Sequence, residues 1–146
     1  MRYFKQTHIY KTMPTCQLHA DIYKLEGSDR RPGIIWIHGG GLVFGNRGML
    51  PLEQIELYLA AGYTIISIDY RLAPETKLKG ILEDVKDAYN WVHRKGADLF
   101  GIDPDCLIII GHSAGGYLAL MAGFSVYPRP KALVSFAWGS RYGCSS

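Results

Sequence analysis

From Cys16 to Tyr23 the even positions are apolar and most of the odd ones polar, a period of two that predicts a strand buried on one face. The run around Tyr3 to Tyr10 precedes it, and the two together predict a hairpin turning near Met13-Pro14-Thr15. After the polar stretch Gly27-Ser28-Asp29-Arg30-Arg31-Pro32 the texture changes. Ile34 to Ile37, Thr64 to Ile68, Leu107 to Ile110 and Ala132 to Phe136 are short runs rich in β-branched residues with little alternation. Strands of a parallel sheet covered on both faces read this way.

Helical spacing lies between these runs. Leu52, Ile55 and Leu59 share a face that ends before Gly62, a residue suited to the left-handed turn after a helix. Ile81, Val85, Ala88, Tyr89 and Val92 form a second stripe, with Glu83, Asp84, Lys86 and Asp87 facing away and Gly96 closing the helix. A third helix, from Ser113 to about Ser125, is apolar nearly all round and is expected to be deeply buried. Strands alternating with helices behind an antiparallel N-terminal hairpin predict an α/β class with a mostly parallel, doubly wound sheet.

Composition narrows the function classes. The 146 residues, 48% of them hydrophobic and 20% charged, suit a single domain with one sizeable core. A net charge of +3 is spread thinly, with Arg30-Arg31 the longest basic cluster, so nucleic acid is not an expected partner. Three cysteines at unrelated spacings fit neither a disulfide framework nor a zinc site, and favour a reducing compartment. The N-terminus lacks a signal-peptide pattern, and no apolar segment approaches the ~18 residues of a membrane span. The expectation is a soluble, cytoplasmic protein that is not bound to a membrane.

The chemistry concentrates in two glycine-rich segments, each following a buried strand. Gly111-His112-Ser113-Ala114-Gly115-Gly116 has the form of a nucleophile elbow, in which a sharp strand-to-helix turn lifts the Ser113 hydroxyl clear and demands small neighbours. The helix beginning there directs its amides and positive dipole end toward an oxyanion. His38-Gly39-Gly40-Gly41 leaves backbone N–H groups unshielded, and Gly39 and Gly40 with Ala114 are expected to form the oxyanion hole, Gly41 substituting for one of them if the loop so folds. His38 is expected to brace this loop rather than act as base. Leu42, Val43 and Phe44 are read chiefly as core packing, with a pocket wall as the alternative. GxSxG and HGGG each also fit plain turns, but their placement after two separate strands favours catalysis.

These two segments, together with Asp69-Tyr70-Arg71-Leu72-Ala73-Pro74-Glu75, resemble the hormone-sensitive-lipase-like and feruloyl-esterase-like carboxylesterases of the α/β-hydrolase superfamily, over about residues 33 to 137. The resemblance implies hydrolysis of small-molecule esters through an acyl-enzyme on Ser113, with no metal or organic cofactor. It makes the Asp69 segment structural, and pairing of Asp69 with Arg71 is expected there.

In that family the triad acid and histidine follow the serine, yet no Asp, Glu or His occurs after Ser113. His8 and His19 belong to the hairpin, His93 to a helix end, and His112 leaves the elbow in a different direction from Ser113, while Asp103 and Asp105 belong to a turn. The chain is therefore expected to be the N-terminal part of a carboxylesterase, incomplete at its C-terminus and inactive alone. The strand near 132–136 then becomes an exposed edge prone to self-association. A non-catalytic relic of the same fold is the alternative. A dinucleotide-binding domain is more remote, since the glycines after Ile37 miss the GxGxxG spacing.

Overall fold

A computed structural model describes residues 2–27 and 29–136. Six strands and three helices follow one another as β1 (Tyr3–Thr12), β2 (Gln17–Leu25), β3 (Arg31–Ile37), α1 (Leu52–Ala60), β4 (Thr64–Ile68), α2 (Leu78–Phe100), β5 (Ile102–His112), α3 (Ala114–Gly123) and β6 (Ala132–Phe136). A 3-10 turn at Arg47–Met49 precedes α1. The strands form one sheet in the order β1-β2-β4-β3-β5-β6. β1 to β2 and β2 to β4 are antiparallel, and the pairs β3/β4, β3/β5 and β5/β6 are parallel. This is the hairpin followed by a parallel, doubly wound sheet that the alternation and the apolar runs predict. The hairpin turns where expected, with the Met13 amide donating to the Cys16 carbonyl at 2.8 Å.

Two apolar layers sandwich the sheet. On one face α2 and α3 bury Ile81, Val85, Tyr89, Val92, Leu118 and Ala122 against Ile35, Ile37, Ile66 and Ile109. On the other, α1 contributes Ile55 and Leu59 against Ile34, Trp36 and Ile65. Alternate residues of β3 serve opposite layers, the two-residue period of a strand buried on both sides.

The helices depart from the sequence reading in four places. Leu52, in the first turn of α1, is 56% exposed, whereas Ile55 and Leu59 of the same stripe are buried. Gly96 does not close α2. It is buried, its missing Cβ making room for Ile102, and the helix continues to Gly101, which takes the left-handed cap at φ 67°. Asp84 does not face solvent: it is fully buried and receives Lys11 Nζ at 2.7 Å and the Arg71 guanidinium at 2.9 Å. A fourth correction concerns α3, whose Tyr117, Leu120, Met121 and Phe124 are exposed although the helix is apolar throughout. Asp103 and Asp105 lie within β5 where its register against β3 is irregular, and the Asp105 amide donates to the Asp103 carboxylate, which keeps the turn-like character expected of them. Residues 137–146, which entered the expectation of an incomplete fold, lie outside the described residues.

Candidate active site

β5 ends at His112 and α3 begins at Ala114, so Ser113 alone makes the turn. Its φ of 57° and ψ of −119° are a conformation that residues with a Cβ avoid, at a cost of about 1–3 kcal/mol. Neighbouring contacts hold it there. The Ser113 amide donates to the Phe136 carbonyl at 2.7 Å, and the Ser113 carbonyl accepts from the Gly116 amide at 2.9 Å. The turn closes only around glycine: a Cβ on Gly111 would lie 2.0 Å from the Gly115 carbonyl oxygen, and one on Gly115 would lie 2.2 Å from that of Ile37. The second of these contacts locks the elbow to the end of β3, where the HGGG loop starts.

That loop turns back through Gly40, Gly41 and Leu42, with φ of 121°, 64° and 69°. The Gly40 carbonyl accepts from the Val43 and Phe44 amides at 3.1 and 3.2 Å. A Cβ on Gly39 would stand 3.1 Å from the Ser113 Cβ, so loop and nucleophile are in contact. Among the described residues the amides of Gly39, Gly40 and Ala114 donate to no backbone carbonyl, which leaves them free to receive a negative oxygen. Gly39, Gly40, Gly41, Phe44, Met49, His112 and Ser113 line a cleft of about 480 Å³. Ala114 is not part of that wall; it opens α3 directly behind Ser113. Leu42 packs on the core as expected, whereas Val43 and Phe44 are exposed and Phe44 borders the cleft. Met49 was not singled out by sequence, since its place in the wall depends on a 3-10 turn that carries no hydrophobic period.

His38 is fully buried and stacks on Tyr70, ring centroids 4.1 Å apart. Its Nδ1 lies 2.6 Å from the Gly39 carbonyl, an acceptor only, so Nδ1 carries the proton. Burial lowers its pKa, outweighing the hydrogen bond to Gly39 and the charge of Asp69. The Tyr70 hydroxyl in turn donates to the His38 carbonyl at 2.8 Å, and burial pushes its pKa well above the usual phenol range. A neutral imidazole clamped between an aromatic ring and its own loop holds the glycines in place.

Asp69 and Arg71 do not pair with each other. Asp69 takes the Arg47 guanidinium at 2.5 Å and the Arg47 amide at 2.8 Å, and Arg47 also reaches Asp21 of β2 at 2.9 Å. Arg71 instead forks onto Asp84 of α2. β4 ends at Ile68, so Asp69 and Arg71 lie beyond the strand, where its two-residue period no longer holds them on one face. The consequence is functional: Asp69 anchors the segment bearing Met49, and Arg71 ties the following turn to α2. Neither Arg47 nor Asp84 stands out by sequence, because an isolated charge in a loop or helix carries no sign of its partner.

Among the described residues, no imidazole is hydrogen-bonded to the Ser113 hydroxyl. His8 packs edge-on against Phe100 at 4.9 Å, His93 lines a separate cavity of about 490 Å³ with Tyr10 and Lys11, and His112 borders the cleft beside Phe136. Among the described residues there is also no cluster of three His, Cys, Asp or Glu able to hold a metal, and no helix long and apolar enough to cross a membrane. The dinucleotide alternative meets two obstacles. The glycine turn leads into a 3-10 turn rather than opening a helix, and both Asp69 carboxylate oxygens are engaged by Arg47.

Comparison with known proteins bears on the same segments. The BD-FAE family model matches residues 20–129. The chain is 36% identical over 146 residues to the non-reducing polyketide synthase Preu6 of Preussia isomera, covering 92% of this chain and 7% of that protein. Among solved structures, a bacterial heroin esterase superposes with a TM-score of 0.76 at 26% identity, over 84% of this chain and 39% of the esterase. The thermophilic esterase of Thermogutta terrifontis, with butyrate bound, gives 0.72 at 31% identity, over 84% and 44%. The chain thus spans less than half the length of these esterases and a small part of the synthase.

Proposed function

The chain belongs to the BD-FAE family and has the α/β-hydrolase fold of the esterases it resembles, and on that footing we propose that residues 2–136 form the nucleophile half of a carboxylic-ester hydrolase site. Ser113 Oγ attacks the acyl carbonyl, and the amides of Gly39, Gly40 and Ala114 receive the oxyanion, each donor contributing about 3 kcal/mol to the transition state. The alcohol leaves, an acyl-enzyme remains on Ser113, and water releases the acid. The serine proton must pass to a base, and none of the described imidazoles is bonded to Ser113. Base and orienting acid are therefore supplied from outside the described residues, and the chain alone lacks roughly the 10⁶-fold that a triad histidine contributes to turnover.

One observation carries this reading: Ser113 is held at φ 57° on the wall of a cleft whose other walls are the glycines of the HGGG loop. A turn that served only to join β5 to α3 would have no reason to retain a strained serine. The butyrate in the Thermogutta terrifontis esterase supports short acyl chains as the first substrate class.

Hydrolysis of p-nitrophenyl butyrate by the chain and by Ser113→Ala, each with and without added imidazole as an external base, tests it. Without imidazole the two proteins are expected to match. With it, the serine form should exceed the alanine form. No serine-dependent rate under either condition would leave a relic of the fold, and a large one without imidazole would show that the base lies within the chain.

A further inference from the structure

We propose that Arg47 is a positioning residue of the Ser113 cleft: by bridging Asp21 and Asp69 it fixes the Met49 wall, and so sets the size of apolar group the cleft accepts. The inference rests on the ester-hydrolase reading of Ser113 and adds what limits its substrate. Met49 belongs to the 3-10 turn Arg47–Met49, which buries none of its own side chains. Packing therefore does not place the turn itself. At its exit the buried Leu50 holds the chain, and at its entry Arg47 does.

Arg47 is engaged through main chain and side chain alike. Its amide donates to Asp69 Oδ1 at 2.8 Å, and its carbonyl accepts from Ser67 Oγ at 2.7 Å. Its guanidinium forks: Nη1 donates to Asp69 Oδ2 at 2.5 Å and Nε to Asp21 Oδ1 at 2.9 Å. Asp21 and Ser67 lie on β2 and β4, interior strands of the sheet, and Asp69 follows β4 directly. Asp69 is itself held to the hairpin, its carbonyl accepting from the Tyr10 hydroxyl and its amide donating to the His19 carbonyl at 3.0 Å. The turn is thus referenced to the most rigid part of the fold.

Two carboxylates on one cation make the position specific for arginine. Among the described residues, Asp69 has no other cation, and Asp21 is left only Lys5 at 3.7 Å when Arg47 is removed. Lysine keeps the charge but offers a single ammonium in place of the planar fork, so it cannot meet both carboxylates in the observed directions. The entry of the turn is then released while Leu50 still holds its exit. Met49 lies between the two, on the wall it shares with Ser113, so the cleft widens beside the nucleophile.

With imidazole as external base, the chain and Arg47→Lys are compared on p-nitrophenyl butyrate against octanoate, and on ethyl against hexyl butyrate. Preference for the smaller ester should fall by roughly tenfold in at least one pair, the low end of what one methylene is worth in an apolar pocket. Met49→Ala should relax the same preference, and adding Arg47→Lys to it should change nothing further. Asp84→Ala, which loses stability elsewhere, should leave the preference as it was, because a ratio of rates does not respond to a smaller folded fraction. If circular dichroism shows Arg47→Lys unfolded, Asp21→Asn replaces it, since that change keeps the Asp69 pair. An unchanged preference in both pairs, an equal shift in Asp84→Ala, or a shift that persists without the Met49 side chain would each overturn the proposal. Should the wild type show no serine-dependent rate, the ester reading fails by itself. The methyl resonance of Met49 in methionine-labelled protein, assigned with Met49→Leu, then decides: it moves in Arg47→Lys if Arg47 places the wall, and stays if it does not.

Discussion

Replacing Asp84 with alanine removes a carboxylate that the helical pattern assigns to solvent and the structure buries completely. Its oxygens accept from Lys11 Nζ at 2.7 Å, Arg71 Nε and Nη2 at 2.9 Å each, and the Arg71 amide at 3.0 Å. Breaking a buried ion pair costs about 3–5 kcal/mol. The cations left behind are not fully buried, with Arg71 and Lys11 side chains 29% and 18% exposed, so water relieves part of their penalty. About 3 kcal/mol remains, or roughly a 10 °C fall in Tm for a domain of this size. A solvated helix residue would change stability by at most about 0.5 kcal/mol. Urea denaturation followed by circular dichroism separates the two outcomes, and a loss below about 1 kcal/mol would refute the assignment of Asp84 as the anchor of β1 and the Arg71 turn on α2.

Two further outcomes are expected. Ser113→Gly should raise stability by about 1 kcal/mol, because glycine accepts the elbow's φ and ψ without the cost borne by serine; equal or lower stability in thermal denaturation would show that the turn is unstrained. The His38 pKa is lowered by burial in the folded protein, so below the ordinary value near 6.5 the unfolded chain binds a proton that the folded one refuses. Stability is therefore full above about pH 6.5 and falls as pH drops toward the folded pKa, by at most about 1.4 kcal/mol per pH unit. Denaturant midpoints across that window should slope for the wild type and flatten for His38→Gln; an unchanged slope would remove His38 as the cause.

Much of the fold was legible in the chain because the sheet is written in local periods. The alternation in β2 and the unbroken apolar runs of β3, β4 and β5 depend on which faces are covered, and a strand displays both faces within a few residues. Ser113 and the HGGG loop were legible for a related reason: each demands glycine at fixed offsets, and glycine is visible in sequence. The partners of charged groups were not. Asp69 and Arg71, two residues apart, were expected to pair with each other, but Arg47 and Asp84 take them, from distant segments that only folding brings near. The burial of Asp84 among outward-facing neighbours follows from β1 laying Lys11 across α2, a tertiary contact without a local signature.

The sequence by itself determined the hairpin, the parallel sheet, the nucleophile turn and the glycines that could hold an oxyanion, since each is a constraint on backbone shape that neighbouring residues impose on one another. Only the tertiary structure decided that the Gly39 loop touches Ser113, that the His38 ring stacks on Tyr70, that Met49 joins the wall of the cleft, and that one face of an entirely apolar α3 is exposed. Those facts turn on which segments meet across the sheet. Contact between residues far apart in the chain is set by the summed packing of the whole core, not by any stretch within it.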